Sequence, residues 1–409
     1  MAFHHRNYRL FIAGWLLALI GTRIQSIAIA WEIYQRTGQA LSLGLVALAQ
    51  ALPVISFALP AGYLADRFRR RHLLLLSLVG MTLTSLGLAV LSYTEGSITF
   101  MFVLLFLDTT AVTLGRPARM AIVPQLVPNA IFPNAIAWYT SLVQIASVLG
   151  PALGGFVVAV NVPLAYVLAA VSSVLSIVTF LGIELPPGPK EIERASLRTV
   201  LAGIEFVRNN RIILVIISLD LFAVLLGGAV YLLPIYAKDI LQVGATGFGW
   251  LEAAPAAGAF CMALLLAHLP PMQRAGRTLL LAVGGFGLAT IVFGVSTSFG
   301  LSWAMLFLTG ALDNISIVVR HTLIQLLTPN NMRGRVSAVS SIFVSASNEF
   351  GGFESGLVAH WLGPVFSVVS GGIGTIVVVV ITALAAPELL SFGALQDARP
   401  IEEEVERVE

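Results

Sequence analysis

Long apolar runs separated by short polar connections fill this chain from end to end. Apolar stretches of roughly 20 or more residues recur from Leu10 to Leu384. At about 1.5 Å per residue, each is long enough to cross a hydrocarbon layer of roughly 30 Å. Twelve spans can be marked, over residues 9–34, 41–65, 72–93, 98–126, 134–160, 163–183, 211–236, 246–268, 278–297, 300–327, 336–360 and 364–386. An open sheet would leave backbone groups unsatisfied in lipid. The spans are also too long and too uniformly apolar for barrel strands, which alternate over about ten residues. The expected fold is an all-α membrane protein of twelve transmembrane helices. The first span runs past Arg23 to Tyr34 without a small-residue cleavage site, so it reads as a retained helix.

Composition removes several function classes. Of 409 residues, 57% are hydrophobic and 11% charged, which no water-soluble domain could bury. The single cysteine, Cys261, makes no intramolecular disulfide or thiolate cluster, so no metal site is expected. A nucleotide-binding glycine loop and a nucleophile constellation are both missing from the motifs, which argues against an enzyme or a primary pump. No cofactor and no nucleic-acid partner are expected. The bilayer is the evident partner.

The net charge of +2 says little, but the placement of charges says more. If the N-terminus is inside, only Arg36 and Lys238 of the 23 Lys and Arg residues fall in outside loops, and Arg23 lies within a span. The positive-inside rule then places both termini in the cytoplasm. The expected organisation is an N-terminal six-helix bundle at 1–185, a central cytoplasmic loop at 186–210, a C-terminal bundle at 211–388 and an acidic tail at 389–409. Within the loop, LRTVLAGIEFV has the amphipathic pattern of a helix lying along the membrane face.

The two halves repeat one another. At a shift of about 202, RNYR at Arg6–Arg9 answers RNNR at Arg208–Arg211, and Ile33, Tyr34 and Arg36 answer Ile235, Tyr236 and Lys238. At a shift of about 201, RMAIVPQLVP from Arg119 answers RHTLIQLLTP from Arg320, and GPALGG from Gly150 answers GGFESG from Gly351. Matched charges and prolines at one register imply a parallel duplication.

The segment GYLADRFRRRH, Gly62 to His72, resembles the loop motif between the second and third helices of the major facilitator superfamily, with Arg69 in place of a glycine. GPALGG resembles the antiporter motif of drug and proton exchangers in that superfamily. Three stretches resemble its enterobactin exporter and macrolide efflux branch: Trp31–Pro53, Gly115–Pro128 and Ser347–Gly356. The resemblance implies two pseudo-symmetric six-helix bundles, a multi-pass place in the bacterial inner membrane, and action as a monomer to export amphipathic drugs or siderophores in exchange for protons. Lipid translocation, nutrient uptake and a non-transporting receptor or scaffold are the alternatives. It assigns a gate to Gly62, Asp66, Arg67 and Arg70, with Gly62 admitting a close neighbour and the arginines free to bind carboxylates or headgroups. It assigns control of proton leak to Gly150, Pro151, Gly154 and Gly155.

Ionisable groups inside the spans are the remaining candidates, because each costs about 2.5–3.5 kcal/mol at a helix centre on insertion scales. Arg23, Asp108, Asp220 and Asp313 fall on the first, fourth, seventh and tenth spans, which the resemblance says line the central cavity. Gln25 and Asn314 accompany them, and the eleventh span adds Glu349 and Glu354. Arg23 lies roughly 21 Å from the inner end of its span, with Asp220 and Asp313 as its expected partners. Arg119 and Arg320, repeated between halves, are expected to be structural or gating residues. Glu32 and Glu252, near outer ends, are expected to reach water, and Trp31, Trp138, Trp250, Trp303 and Trp361 to form interfacial belts.

Overall fold

The computed structural model of the protein describes residues 2–184, 197–270, 272–330 and 332–391, leaving aside the side chains of Leu59, Asp66, residues 197–200 and Ser391. In chain order the helices are α1 (Arg6–Thr37), α2 (Ala40–Arg67), α3 (Arg70–Tyr93), α4 (Ile98–Ile122), α5 (Phe132–Val160), α6 (Val162–Leu181), α7 (Leu197–Asn209), α8 (Arg211–Leu226), the single turn α9 (Leu233–Ile235), α10 (Gly244–His268), α11 (Ala275–Val295), α12 (Phe299–Leu327), α13 (Arg333–Leu362), α14 (Pro364–Ala385) and α15 (Pro387–Ser391). Eleven helical segments among the described residues are long and apolar enough to span a membrane. The twelfth span is α13, whose 30 residues suffice in length but carry Arg333, Arg335, Glu349 and Glu354.

The backbone clusters into two units. The first holds Met1–Ala195 with Pro234–Ala253, and the second Ser196–Leu233 with Ala254–Glu409. In the first, α1 packs on α5 and α6, and α3 on α4 and α6. Small residues permit the close approach: a side chain at Gly14 or Gly21 would strike Thr179 or Ser172 of α6. Hydroxyls tie the contacts together, Tyr8 donating to the Ala135 carbonyl at 2.7 Å and Ser176 to the Gly14 carbonyl at 2.7 Å. The outer face of α3 is an exposed apolar stripe of Leu76, Leu83, Leu86 and Val90, suited to lipid contact. In the second unit α8 packs on α13 and α14, and α11 on α12 and α14.

The seventh span departs from expectation. A continuous helix was expected over 211–236, but α8 stops at Leu226, and the chain passes through a 3-10 turn at Ala229–Leu232 and a π turn at Tyr236–Ile240. The break falls at Gly227–Gly228, where a side chain on Gly228 would meet the Gly351 carbonyl and Ser355 Oγ of α13 at 2.5 Å. Close packing on α13 thus takes the place of helical continuity. The amphipathic stretch also finds a partner in protein: Val207 of α7 is buried in a cluster with Val336 and Val339 of α13. Residues 185–196 of the central loop and 392–409 of the tail lie outside the described residues.

Candidate functional site

In the first unit, a buried polar cluster joins three helices. Thr84 of α3 donates to Asp108 Oδ1 of α4 at 2.6 Å, and Gln25 of α1 also hydrogen-bonds Asp108. Ser85 donates to Gln25 Oε1 at 2.5 Å. The sequence singled out Gln25 and Asp108, and the fold brings them together. Thr84 and Ser85 were missed, because hydroxyl residues are common in spans and only the α3–α4 contact reveals their role.

Arg23, two residues before Gln25, is exposed, with its stem against α5. A side chain at Gly150 would lie 2.5 Å from Arg23 Cβ, and one at Gly154 would crowd Ile27. The next glycine faces a different element, since a Cβ on Gly155 would lie 2.8 Å from Gly249 Cα in α10. The small residues of GPALGG therefore seat α1 and α10, and α5 continues through Pro151 as helix. Within its own unit Arg23 acts electrostatically on Glu252 of α10. Glu252 is half-buried rather than at the water face.

Asp220 pairs with Arg320 across α8 and α12 in the second unit, both buried at 6% and 3% exposure. Their partnership links residues a hundred positions apart. Arg119, the counterpart of Arg320, has no acidic partner among the described residues. Its guanidinium lies 3.6 Å over the Trp15 ring and also hydrogen-bonds Tyr139. Asp313 and Asn314 lie partly buried on α12, where Asn314 Oδ1 has no hydrogen-bond partner among the described residues. Glu349 of α13 accepts a bond from Tyr231 at 3.2 Å, and Glu354 only a long one, 3.5 Å, from its neighbour Ser355.

In the gating loop, the described side chains contact neighbours in their own unit. Among the described residues, no atom lies within 4 Å of where a Gly62 side chain would stand. Arg67 bonds Tyr63, while Arg70 and Arg71 donate to the Ala121 and Leu181 carbonyls at the ends of α4 and α6. Arg70 and Arg71 thus cap helix C-termini, whose last carbonyls lack intrahelical partners. The Asp66 side chain lies outside the described residues.

Two outer features were also underestimated. Glu32 is buried at 5% exposure, receives a 2.9 Å bond from Tyr166 and pairs with Arg36 at 3.3 Å. Arg36 also donates to the Glu95 and Gly96 carbonyls, tying down the α3–α4 turn where Glu95 has φ of 51°. Trp31 is buried and stacks on Phe248 at 6.0 Å, so it belongs to no interfacial belt. Alongside it, Tyr34 donates to Asp239 of the π turn, and Lys238 lies 5.4 Å over the Tyr34 ring.

Helices able to span a membrane, with ionisable groups set among them, agree with the membrane transporter of major facilitator type that the family match shows. The chain belongs to the family described as transmembrane secretion effectors, whose model matches residues 2–403. It is 26% identical over 390 residues to the enterobactin exporter EntS of Escherichia coli O1:K1 / APEC and of Shigella boydii serotype 18, covering 95% of this chain and 94% of each relative. Its fold is similar to a bacterial homolog of the human lysosomal transporter Spinster, in an inward-facing and occupied conformation, with a TM-score of 0.71 and 15% identity over 94% of this chain and 96% of that one. It is similar also to a peptide transporter POT in complex with sulfate, with a TM-score of 0.71 and 14% identity over 95% of each chain. At these identities the solved structures bear on the fold alone.

Proposed function

We propose that this protein is a secondary active exporter of the bacterial inner membrane, exchanging an amphipathic small molecule of siderophore or drug type for protons by alternating access. The observation that carries the reading is that Asp313 and Glu349 sit in spanning helices with no ion pair among the described residues, unlike Asp220. A carboxyl without a cation is costly in lipid as an anion and inexpensive as an acid, so binding and releasing a proton is the chemistry open to it. Exposed Arg23 is a permanent cation for an anionic part of the solute. The relation to the enterobactin exporter supports outward direction and a siderophore-like cargo. In this reading the protein works as a monomer with both termini in the cytoplasm.

A thermal-shift panel of siderophores, macrolides, cationic dyes and lysolipids on the purified protein tests the substrate class. At about 100 times Kd, a ligand of the native state stabilises by about 2.7 kcal/mol. A siderophore or macrolide should raise the melting temperature, and Arg23→Ala should reduce the rise for an anionic one. Stabilisation by lysolipids alone would favour a lipid translocator.

A further inference from the structure

The geometry points to Asp108 as a proton-binding site built with Thr84 and Gln25, able to hold its proton or lose it without moving a heavy atom. Thr84 Oγ1 lies 2.6 Å from Asp108 Oδ1, and also 3.0 Å from the Met81 carbonyl and 3.1 Å from the Gly80 carbonyl. A hydroxyl has one proton to donate and can still accept. When Asp108 is a carboxylate, Thr84 and the Gln25 amide both donate to it. When Asp108 takes up one proton from water, its charge is neutralised and its new O–H donates to Thr84 Oγ1. The threonine proton then turns to the Met81 or Gly80 carbonyl. Gln25 is held in place in both states, because Ser85 donates to its Oε1.

Among the described residues, no cation pairs with Asp108. Between His72 and Tyr93, α3 has no titratable side chain, and α2 has none before Tyr63, Asp66 and Arg67 at its far end. On α1, Glu32 is engaged by Tyr166 and Arg36, and Arg23 acts on Glu252. On α4 itself, Arg116 and Arg119 lie more than two turns further on, with Arg119 held over Trp15. Asp108 thus lacks a partner of the kind Asp220 has in Arg320, while its two donors can solvate the anion. Gln25 shares α1 with Arg23, so a solute that displaces α1 also withdraws a donor from Asp108 and changes its hold on the proton.

This names a carrier for the exchange proposed above, and rests on that reading only for the use made of the proton. Infrared difference titration of the full-length protein in nanodiscs tests the site directly. The wild type should show a carboxyl C=O band that fades as pH rises, with one carboxyl's share missing in Asp108→Asn. Thr84→Val should shift the frequency of that share by removing its hydrogen-bond partner, and it serves equally well if Asp108→Asn does not fold. Spectra of wild type, Asp108→Asn and Thr84→Val that superimpose across the titration would overturn the proposal. A titrating Asp108 band in a protein that moves no protons in vesicles would uphold the site and defeat the exchange reading instead.

Discussion

Three ionisable side chains set in the spans have three different solutions. Asp220 is neutralised by Arg320, Asp108 is surrounded by neutral donors, and Arg119 rests on the face of Trp15. Removing one member of a buried ion pair leaves the other uncompensated, typically at about 3–5 kcal/mol, whereas replacing both with apolar groups can be neutral. Asp220→Asn should therefore lower the melting temperature sharply, and Asp220→Leu combined with Arg320→Leu should recover most of it. A melting curve for Asp220→Asn that matches wild type would show that the pair holds nothing together. The charges themselves were legible as costly residues in apolar runs. Their partners were not, because Asp220 and Arg320 meet only through the packing of α8 on α12, and nothing near either in sequence marks the other.

Among the elements, α5 shows how a short motif does more than one task. Gly150 and Gly154 admit α1 while Gly155 admits α10, and the same region of contact brings Trp31 onto Phe248 and Tyr34 onto Asp239. The π turn at Tyr236–Ile240 is held by this contact, an irregular stretch where a plain helix was expected. A leucine at Gly155 would place its Cβ 2.7 Å from the Ala245 carbonyl, which backbone cannot yield cheaply. Hydrogen exchange is accordingly predicted to rise across 236–249 in Gly155→Leu, and more modestly in Tyr34→Phe. Unchanged protection in both would mean that other contacts hold the segment. Most spans lie within three residues or so of their expected ends, since apolar length marks them well. The exception, at Gly227–Gly228, arises from a tertiary contact with α13 that hydropathy does not register.

At the scale of the whole molecule, the repeat seen along the chain recurs in packing. Gly150 faces Arg23 in the first unit as Gly351 faces Leu225 in the second, at shifts of about 201 and 202. The halves share a scaffold but differ in charge pairing: Arg320 meets Asp220, whereas its counterpart Arg119 lies over Trp15. The central claim is exchange of a solute for protons by carboxyls that lack cations. Proteoliposomes holding the purified protein and an internal pH dye, placed under an imposed pH gradient, measure it most directly. The account predicts proton movement that begins only when a solute chosen by thermal shift is added, and that is largely abolished by Asp313→Asn. Absence of solute-dependent proton flux with any ligand of the panel, together with solute transport undiminished in Asp313→Asn, would contradict it.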